Sequence, residues 1–449
     1  MVTKKVGRLE SQGIAKPRRN DSVHTIKYMG SKRELLDFVA PAIESLLEPG
    51  ERVLDVMAGT SSVAFALKDR HSVVANDIQH FSATIARATL NLNSAVPTSE
   101  ALIEELTPHF VRNQAELLEV FKEPLEIERE FVIQSRQSKF NEEDLTAYRQ
   151  YFASFPNPVE YTNADQEPAD ALSARLQKMV QERRADATLF PYILNSAYFS
   201  NTYIGLRHAI EIDSYRYAID QAFPPGSEFR EVLLSALMFA TSYCNAGTGH
   251  FAMYRDIETP KVLDDVFIYR SRDFLSYFRS KLDEYHERLA PTPYENDVWT
   301  MDYRDALSGD RLDGVSLVYA DPPYSFVHYS RFYHLLETLV RYDYPACEFK
   351  GRYRHDRHQS PFCIRRQAYG AFEELIRPLA ERGIQLVISY SDAPSNMITL
   401  DEILEICRAH YNSDFDVAVQ QFDYKHTTMG RRGDKHREVL ETLVICSNR

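Results

Sequence analysis

The chain has 449 residues, enough to bury a large core, and chains of this size usually divide into two or more domains. Its composition is that of a globular enzyme, and without a membrane-length apolar run or a secretory signal we expect a cytoplasmic protein with no membrane partner. The formal net charge of −13 argues mildly against nucleic acid, and the scattered cysteines predict neither a zinc site nor a disulfide frame.

The chain opens with a polar, basic segment, residues 1–20, which we predict to be a disordered tail. Residues 21–95 carry the first strands of an α/β sheet. Residues 53–63 indicate a strand ending at Asp55, a turn of small residues and the start of a helix. Thr60, Ser61 and Ser62 can cap that helix, and its N–H groups suit a carboxylate.

A second acidic residue, Asp77, follows Asp55 by 22 positions and stands just past a short strand, residues 72–75. That spacing is typical of nucleotide-binding βαβ units, in which the acid holds ribose hydroxyls. The loop lacks the full G-x-G-x-x-G, so a dinucleotide fits poorly. S-adenosylmethionine fits better, with its carboxylate at the helix start and its ribose at Asp77.

Residues 96–292 change in character, because helical patterns dominate and strand signals are few. We predict helices over residues 108–122, 171–183 and 229–243, the first capped by Thr107 with Pro108 at its first position. Several aromatics in this insert could stack on bases, but at helical spacing core packing is the favoured interpretation. These aromatics are Tyr192, Tyr198, Phe199, Tyr203, Tyr215 and Tyr217. His250 in a glycine-rich turn and the pair His334 and Glu337 are weak candidates for ligands.

The sheet resumes over residues 293–449, and residues 315–320 read as a buried strand. Asp321, Pro322, Pro323 and Tyr324 follow it, at the strand end where open α/β sheets place ligands. A carboxylate and a backbone carbonyl can accept the two hydrogens of an exocyclic amine, while an aromatic ring can stack on a base outside the duplex. Further strands are predicted over residues 384–390, 417–422 and 438–446, the last two joined across a turn at residues 430–433.

Taken in order, these motifs resemble those of the α-group, Dam-like DNA adenine-N6 methyltransferases, in the branch found with type IIS restriction systems. The resemblance is carried by the tetrapeptide and blocks spread over nearly the whole chain. They are residues 27–33, 53–63, 76–78, 203–206, 249–252, 299–303, 329–337 and 388–391.

The resemblance implies a Rossmann-like, S-adenosylmethionine-dependent methyltransferase sheet with a large helical insert for target recognition. Asp321, Pro322, Pro323 and Tyr324 would be catalytic. The cofactor-binding set would be Tyr28, Lys32, Asp55, Met57, Ala58, Gly59, Thr60, Ser61, Asp77, Ile78, Asp302, Tyr303 and Asp321. Its partners would be double-stranded DNA and a companion restriction endonuclease or defence system, with no metal.

The cofactor loop departs from the family pattern, because Ser61 stands where a second glycine is expected and Met57 where an aromatic is usual. Ser61 could narrow the pocket, since glycine permits positive φ and close approach of a ligand. We favour the interpretation that this turn needs no positive φ and that serine caps the helix.

A basic cluster follows the tetrapeptide and could line a DNA cleft, although a solvated loop is the alternative. Its arginines are Arg352, Arg354, Arg357, Arg365 and Arg366. The sequence thus predicts methyl transfer to adenine N6 in duplex DNA by base flipping. Two alternatives stay open: a methyltransferase for another amine in RNA or protein, and a DNA-binding relative with weakened or lost activity.

Overall fold

The computed structural model describes residues 23–162, 167–168, 170–247, 249–391, 395–427 and 436–449. The basic segment at residues 1–20 and the turn at residues 430–433 lie outside these ranges. Within them, no helix combines the length and the apolarity needed to cross a bilayer.

Nine strands form a seven-stranded sheet and a short two-stranded ladder within the described residues. The strands are β1 (Arg52–Asp55), β2 (Ser72–Asn76), β3 (Asp297–Trp299), β4 (Val315–Ala320), β5 (Cys347–Glu348), β6 (Tyr353–Arg354), β7 (Gln385–Ser391), β8 (Phe415–Thr427) and β9 (His436–Asn448). The sheet order is β3-β2-β1-β4-β7-β9-β8, with β9 antiparallel to both neighbours and β5-β6 apart. The α/β, Rossmann-like fold class predicted from the motifs is confirmed.

The order of the strands reverses between β1 and β4, which pair in parallel at the centre of the sheet. Chains leaving two such strands run to opposite sides and open a crevice at their carboxyl ends. The last residue of β1 is Asp55, and the residue after β4 is Asp321. Strand topology therefore brings the two motifs to one place.

Helices cover both faces of the sheet. Before the insert come α1 (Leu36–Glu44), α2 (Ser62–Leu67) and α3 (His80–Leu90). After it come α14 (Tyr303–Ala306), α15 (Tyr329–Phe332), α16 (His334–Arg341), α17 (Arg365–Arg382) and α18 (Leu400–His410). Strand β4 alternates between the two faces, because Leu317 packs with α1, α2 and α3 whereas Val318 packs with α17 and α18.

The region between β2 and β3 is helical, as its sequence pattern predicts. It contains α4 (Ser99–Val120), α5 (Lys122–Gln137), α6 (Glu142–Ser154), α7 (Pro158–Tyr161), α8 (Ala171–Ala185), α9 (Leu194–Tyr198), α10 (Leu206–Ala222), α11 (Arg230–Cys244), α12 (Pro260–Arg270) and α13 (Phe274–Arg288). Its core is continuous with the sheet through α3: Phe81 and Ile85 pack toward the insert, while Ala83 and Ala86 pack toward the sheet.

The predicted start of the first insert helix is wrong. Helix α4 begins at Ser99, where the side chain of Thr98 accepts from the N–H of Ala101. Thr107 instead donates to the Ile103 carbonyl at 2.7 Å, and Pro108 lies inside the helix. A proline costs a helix one N–H donor, but tertiary packing of the buried face of α4 outweighs this local signal.

Candidate active site

A cleft of about 990 Å³ opens at the carboxyl ends of β1, β2, β3 and β4. A smaller recess beside it is lined by Asp55, Ala58, Thr60 and Ser62. Together they include all of the cofactor-binding residues predicted from the sequence except Gly59 and Ser61, which lie between Ala58 and Ser62 in the same loop. All four residues of the tetrapeptide line the main cleft.

Asp321 faces this cleft from the end of β4, and its carboxylate is paired with a buried lysine. The Nζ atom of Lys32 lies 3.1 Å from Oδ1 of Asp321 and 2.8 Å from Oε1 of Glu441 on β9. Burial raises the pKa of Asp321 to about 6, although the Lys32 ammonium lowers it. The carboxylate is therefore ionised at neutral pH while it remains a basic acceptor.

The remainder of the tetrapeptide forms a turn at the cleft with an available carbonyl and a partly exposed ring. Among the described residues, none donates a hydrogen bond to the Pro322 carbonyl, which leaves it available as an acceptor. The Tyr324 carbonyl accepts from Met397 at 2.8 Å and so fixes the turn. The Tyr324 ring lies 5.5 Å from that of Tyr390, centroid to centroid, and remains partly exposed to the cleft.

Asp77 binds two backbone segments. Its Oδ2 accepts from the N–H of Gly59 at 3.0 Å, and its Oδ1 accepts from the N–H of Gln79 at 2.9 Å. Burial raises the pKa of Asp77 to about 6 despite these two bonds. One carboxylate thus joins the loop after β1 to the beginning of α3.

The interpretation of Ser61 favoured from the sequence is wrong. Ser61 adopts φ +56°, in the left-handed region, and its side chain makes no capping bond to α2. Its Oγ is buried without a hydrogen-bond partner among the described residues. The loop therefore does require the conformation that glycine adopts most easily, and serine adopts it at a cost in backbone strain.

Asp55 is buried at the base of the smaller recess. Its Oδ1 has no hydrogen-bond partner among the described residues, and burial, together with the charges of Asp321 and Asp77, raises its pKa well above the usual value. A buried polar atom without a partner is costly, and such an atom at a recess is suited to meeting a ligand.

The amino-terminal segment covers the cleft with aromatic rings. Tyr28 stacks on Tyr329 at 5.3 Å and on Tyr333 at 4.7 Å. Gly30 has φ +75°, and a Cβ there would lie 2.8 Å from the hydroxyl of Tyr329. Glycine at this position lets the segment approach α15 closely enough to bring Lys32 to Asp321.

Asp302 and Tyr303 line the cleft beside β3, but both side chains also bond within the chain. Asp302 accepts from the backbone and side chain of Arg304, which lowers its pKa despite burial. The Tyr303 hydroxyl donates to Glu374 at 2.9 Å. Both side chains are therefore held in place at the β3 side of the cleft.

The sequence predicts that Arg352 and Arg354 face DNA, but the structure buries both side chains. Arg352 is 6% exposed and donates to the Tyr198 carbonyl, and Arg354 is 2% exposed and pairs with Asp343 and Asp356. Arg352 thus ties the β5-β6 ladder to the insert, and Arg354 ties it to the segment after α16, because a buried cation needs partners within the chain. They cannot reach a phosphate.

The other three arginines occupy more open positions. Arg357 is partly exposed, with its guanidinium 6.0 Å from the Tyr353 ring. Arg365 and Arg366 are exposed at the beginning of α17. Arg365 donates to the carbonyl of Asn396, and Asn396 forms a β-bridge with Ser325 on the cleft wall. The start of α17 therefore lies at the rim of the cleft.

The aromatic stretch of the insert belongs to the core, as favoured from the sequence. All six of its rings are buried, and Tyr203 and Tyr198 donate to backbone carbonyls at Gly351 and Pro345. His334 is equally structural, since its Nε2 lies 2.9 Å from the Phe251 carbonyl. In the described part of the chain, no three His, Cys, Asp or Glu residues are grouped as metal ligands.

Two site residues escaped sequence reasoning. The Asn76 amide donates to the Val56 carbonyl at 3.0 Å and to the Met301 carbonyl at 3.2 Å, which ties together the segments after β1, β2 and β3. Its neighbour Asp77 could have drawn attention to it. Glu441 lies 120 positions beyond Asp321 in an unremarkable strand, and no sequence signal indicates its place in the site.

Comparison with known proteins decides which family this site resembles. Residues 28–155 match the model of the D12 class N6 adenine-specific DNA methyltransferases. The chain is related to that family. This relationship confirms the resemblance inferred from the motifs, and the model covers the cofactor loop, Asp77 and the start of the insert.

Curated relatives extend the similarity over most of the chain. Modification methylase LlaI of Lactococcus lactis subsp. lactis is 24% identical over 427 residues, which are 92% of this chain and 54% of the relative. Type II methyltransferase M.FokI of Planomicrobium okeanokoites is 24% identical over 86% of this chain and 47% of its own length. Modification methylase StsI of Streptococcus sanguinis is 21% identical, over 94% and 52%. The chain thus spans about half the length of these relatives.

Proposed function

We propose that this chain is a site-specific DNA methyltransferase that transfers a methyl group from S-adenosylmethionine to the N6 amine of adenine in duplex DNA. The observation that carries the proposal is the pair of acceptors at the end of β4, beside the Tyr324 ring in the cleft: the Asp321 carboxylate and the Pro322 carbonyl, to which no described residue donates. The relatedness to D12 class adenine-specific enzymes supports adenine as the target.

The proposed chemistry depends on orienting a weak nucleophile. The lone pair of the adenine amine is delocalised into the ring, so acceptors for both of its hydrogens must turn it toward the methyl donor. Asp321 accepts one hydrogen and Pro322 the other, while Tyr324 stacks on the base after it has left the helix. The carboxylate of Asp321 stabilises the positive charge that develops on the amine nitrogen.

The residues that line the cleft are suited to binding S-adenosylmethionine. Met57, Ile78 and Met301 provide apolar walls for a purine, next to Asp77 and Asp302 as acceptors for ribose hydroxyls and ring edges. The cofactor supplies the electrophilic methyl group.

The smaller recess suits the methionine end, because the unpartnered Oδ1 of Asp55 can accept from an ammonium group. Tyr28, Lys32 and the loop over residues 57–61 enclose the same end. A Cβ on Gly59 would lie 3.2 Å from the Tyr28 hydroxyl, so there is little room for a side chain at this point.

We place the DNA on the cleft rim formed by the start of α17 and the segment after the tetrapeptide. Arg365 and Arg366 supply exposed positive charge there. Phe326 is 68% exposed two residues after Tyr324, and an exposed aromatic ring at this point can enter the base stack vacated by the target adenine. The cationic rim explains how an acidic protein can bind a polyanion.

The two alternatives have less support. A protein amine would not need the exposed cationic and aromatic rim, and the family match is to DNA rather than RNA enzymes. The interpretation as an inactive relative rested on Ser61 and Met57. Ser61 takes the backbone conformation of a glycine, and Met57 lines the cleft with an apolar side chain, so neither residue closes the site.

The proposed setting is the cytoplasm of a bacterial cell, with a companion restriction endonuclease, because the relatives are named modification methylases. Modification-sensitive sequencing of DNA from cells expressing the chain tests the function and reports the modified base and its sequence context together. The expected result is N6-methyladenine at one motif, absent in cells expressing Asp321→Ala. Unmodified adenine throughout, with a folded protein present, would contradict the proposal.

A further inference from the structure

A buried group of three charges connects the amino-terminal segment, the catalytic turn and β9. Lys32 is 7% exposed and lies between Asp321 and Glu441, nearer to Glu441 at 2.8 Å than to Asp321 at 3.1 Å. Glu441 is 4% exposed, and its Oε1 also accepts from the Ser389 hydroxyl at 3.3 Å. With all three ionised, the group carries one net negative charge.

A structural ion pair does not by itself explain this group. Lys32 and Asp321 alone would be neutral, and a second buried carboxylate adds a desolvation cost unless its interactions offset it. Glu441 stands opposite Ser391 in the β7-β9 ladder, and the next residues on its face of β9, Leu443 and Ile445, are apolar and belong to the core. Its retention of a charge next to the catalytic turn therefore calls for a chemical reason.

We attribute it to competition between the Lys32 ammonium and the substrate amine for the Asp321 carboxylate. An ammonium pairing only with Asp321 would occupy one of its oxygens and draw electron density from the carboxylate, which weakens it as an acceptor for the substrate amine. Glu441 takes the shorter contact with Lys32, so the ammonium is divided between two acids. Asp321 is left charged, oriented and still basic.

We propose that Glu441 is a positioning residue for methyl transfer, which holds Lys32 so that the Asp321 carboxylate stays available to the target amine. This inference rests on the proposed function, because it presumes that Asp321 accepts from the amine. Glu441 itself touches neither proposed substrate, and it acts through Lys32.

The charged and titratable groups facing Asp321 come from every surrounding element. They are Tyr28 and Lys32 from the amino-terminal segment, Asp55 from β1, Tyr319 from β4, Tyr324 and Tyr329 after it, and Glu441 from β9. Of these, Lys32 favours the ionised carboxylate and Glu441 opposes it. Changes at the two residues must therefore move the titration of Asp321 in opposite directions.

The test is the pH dependence of kcat/KM for Glu441→Gln, which keeps the size of the side chain and removes its charge. The expected rate falls about tenfold, within the roughly 10²–10⁴ that a whole acid–base contribution supplies. The acidic limb moves to lower pH by about one unit, the size of shift that a nearby charge produces. Ser389→Ala, which touches Glu441 but leaves its charge, is the matched control and should keep the wild-type limb.

The outcomes separate this proposal from the proposed function. An inactive wild-type enzyme contradicts the function itself, whereas an active wild type with an unmoved limb in Glu441→Gln overturns the role of Glu441 and leaves a structural ion pair. If Glu441→Gln does not fold, Glu441→Met carries the test, since it also removes the charge and must move the same limb to lower pH. An unmoved limb in Glu441→Met also overturns the proposal.

Discussion

The backbone N–H of Gly59 donates to Oδ2 of Asp77 over 3.0 Å, so the acid after β2 fixes the loop after β1. The other oxygen of Asp77 holds Gln79 at the start of α3. A residue expected from its spacing to bind ribose is also the link between two strand ends. The proposed cofactor site is therefore held in place by bonds within the chain.

Asp77→Ala is expected to weaken S-adenosylmethionine binding by about 1.5–3 kcal/mol, the contribution of hydrogen bonds to a charged group. It should also lower the melting temperature of the free protein, because the N–H groups of Gly59 and Gln79 lose their acceptor. Titration calorimetry and thermal melts at pH 8 measure both effects. Asp77→Asn, which retains one acceptor oxygen, should lie between wild type and Asp77→Ala. Unchanged affinity in Asp77→Ala would show that Asp77 has only the structural task.

Ser61→Gly is expected to stabilise the protein by about 1 kcal/mol. Glycine removes the left-handed strain of Ser61, about 1–2 kcal/mol, and the buried Oγ without a partner, while its greater freedom in the unfolded chain offsets part of the gain. Chemical denaturation measures the difference. Ala66→Gly, inside α2, is the control and should destabilise, since glycine is unfavourable in a helix interior. A destabilised Ser61→Gly variant would mean that the serine side chain supports the loop.

Methylation should depend on pH through Asp321, whose pKa is raised to about 6 by burial. The acceptor must be ionised, so activity is present above this value and lost as the pH falls through it. With cofactor saturating, log kcat/KM for DNA should rise with a slope of one through about pH 6 and then level off. Asp321→Asn should be nearly inactive at every pH, because its amide places a donor where an acceptor is needed. A rate independent of pH between 5 and 8 would contradict the role of Asp321.

If DNA lies on the cleft rim at the start of α17, Arg365 and Arg366 should contribute to DNA affinity. Replacing Arg365 and Arg366 together with Ala should weaken binding to all duplex sequences and flatten the log–log salt slope by about 1.8, or roughly 0.9 per phosphate contact. Arg377→Ala, an exposed arginine further along α17, is the control and should have little effect. Fluorescence anisotropy over a salt series measures the slopes. An unchanged slope in the double variant would move the DNA surface to the helical insert.

In contrast to Arg365 and Arg366, the buried Arg354 should contribute to stability rather than to DNA binding. Arg354→Ala removes both of its bonds to Asp343, at 2.6 and 2.7 Å, and leaves this partly exposed carboxylate with Arg341 as its cationic partner. We expect a loss of about 1.5–3 kcal/mol in unfolding free energy, the contribution of hydrogen bonds to a charged group. Thermal denaturation measures this loss. An Arg354→Ala variant of native stability but weak DNA binding would restore the original assignment.

Phe326→Ala should reduce extrusion of the target base more than it reduces overall DNA affinity. The fluorescence of 2-aminopurine placed at the target position reports base extrusion directly. Phe349→Ala removes an equally exposed ring, 67% against 68%, away from the tetrapeptide segment, and should leave the signal unchanged. A mismatched base opposite the target lowers the cost of unstacking and should restore much of the lost signal. Wild-type fluorescence in Phe326→Ala would exclude this role.

The sequence by itself determined most of the sheet and the motifs behind the proposed chemistry. Strands over residues 53–55, 72–75 and 315–320 are predicted by short apolar runs with polar residues at their ends, and those ends carry the proposed site residues. Local patterns suffice here because a parallel strand buried on both faces must be apolar along its length. Motif order then supplied the family resemblance.

Only the tertiary structure decided the surroundings, and hence the roles, of the charged and strained residues. Arg352 and Arg354 look like a surface cluster in the sequence, yet burial makes them structural, because exposure depends on contacts with residues far along the chain. Ser61 takes a glycine conformation that no local rule predicts for serine. Glu441 reaches Lys32 across 409 positions, since pairing of β9 with β7 places its side chain beside the catalytic turn. Long-range strand pairing, which a linear pattern does not encode, fixes that contact.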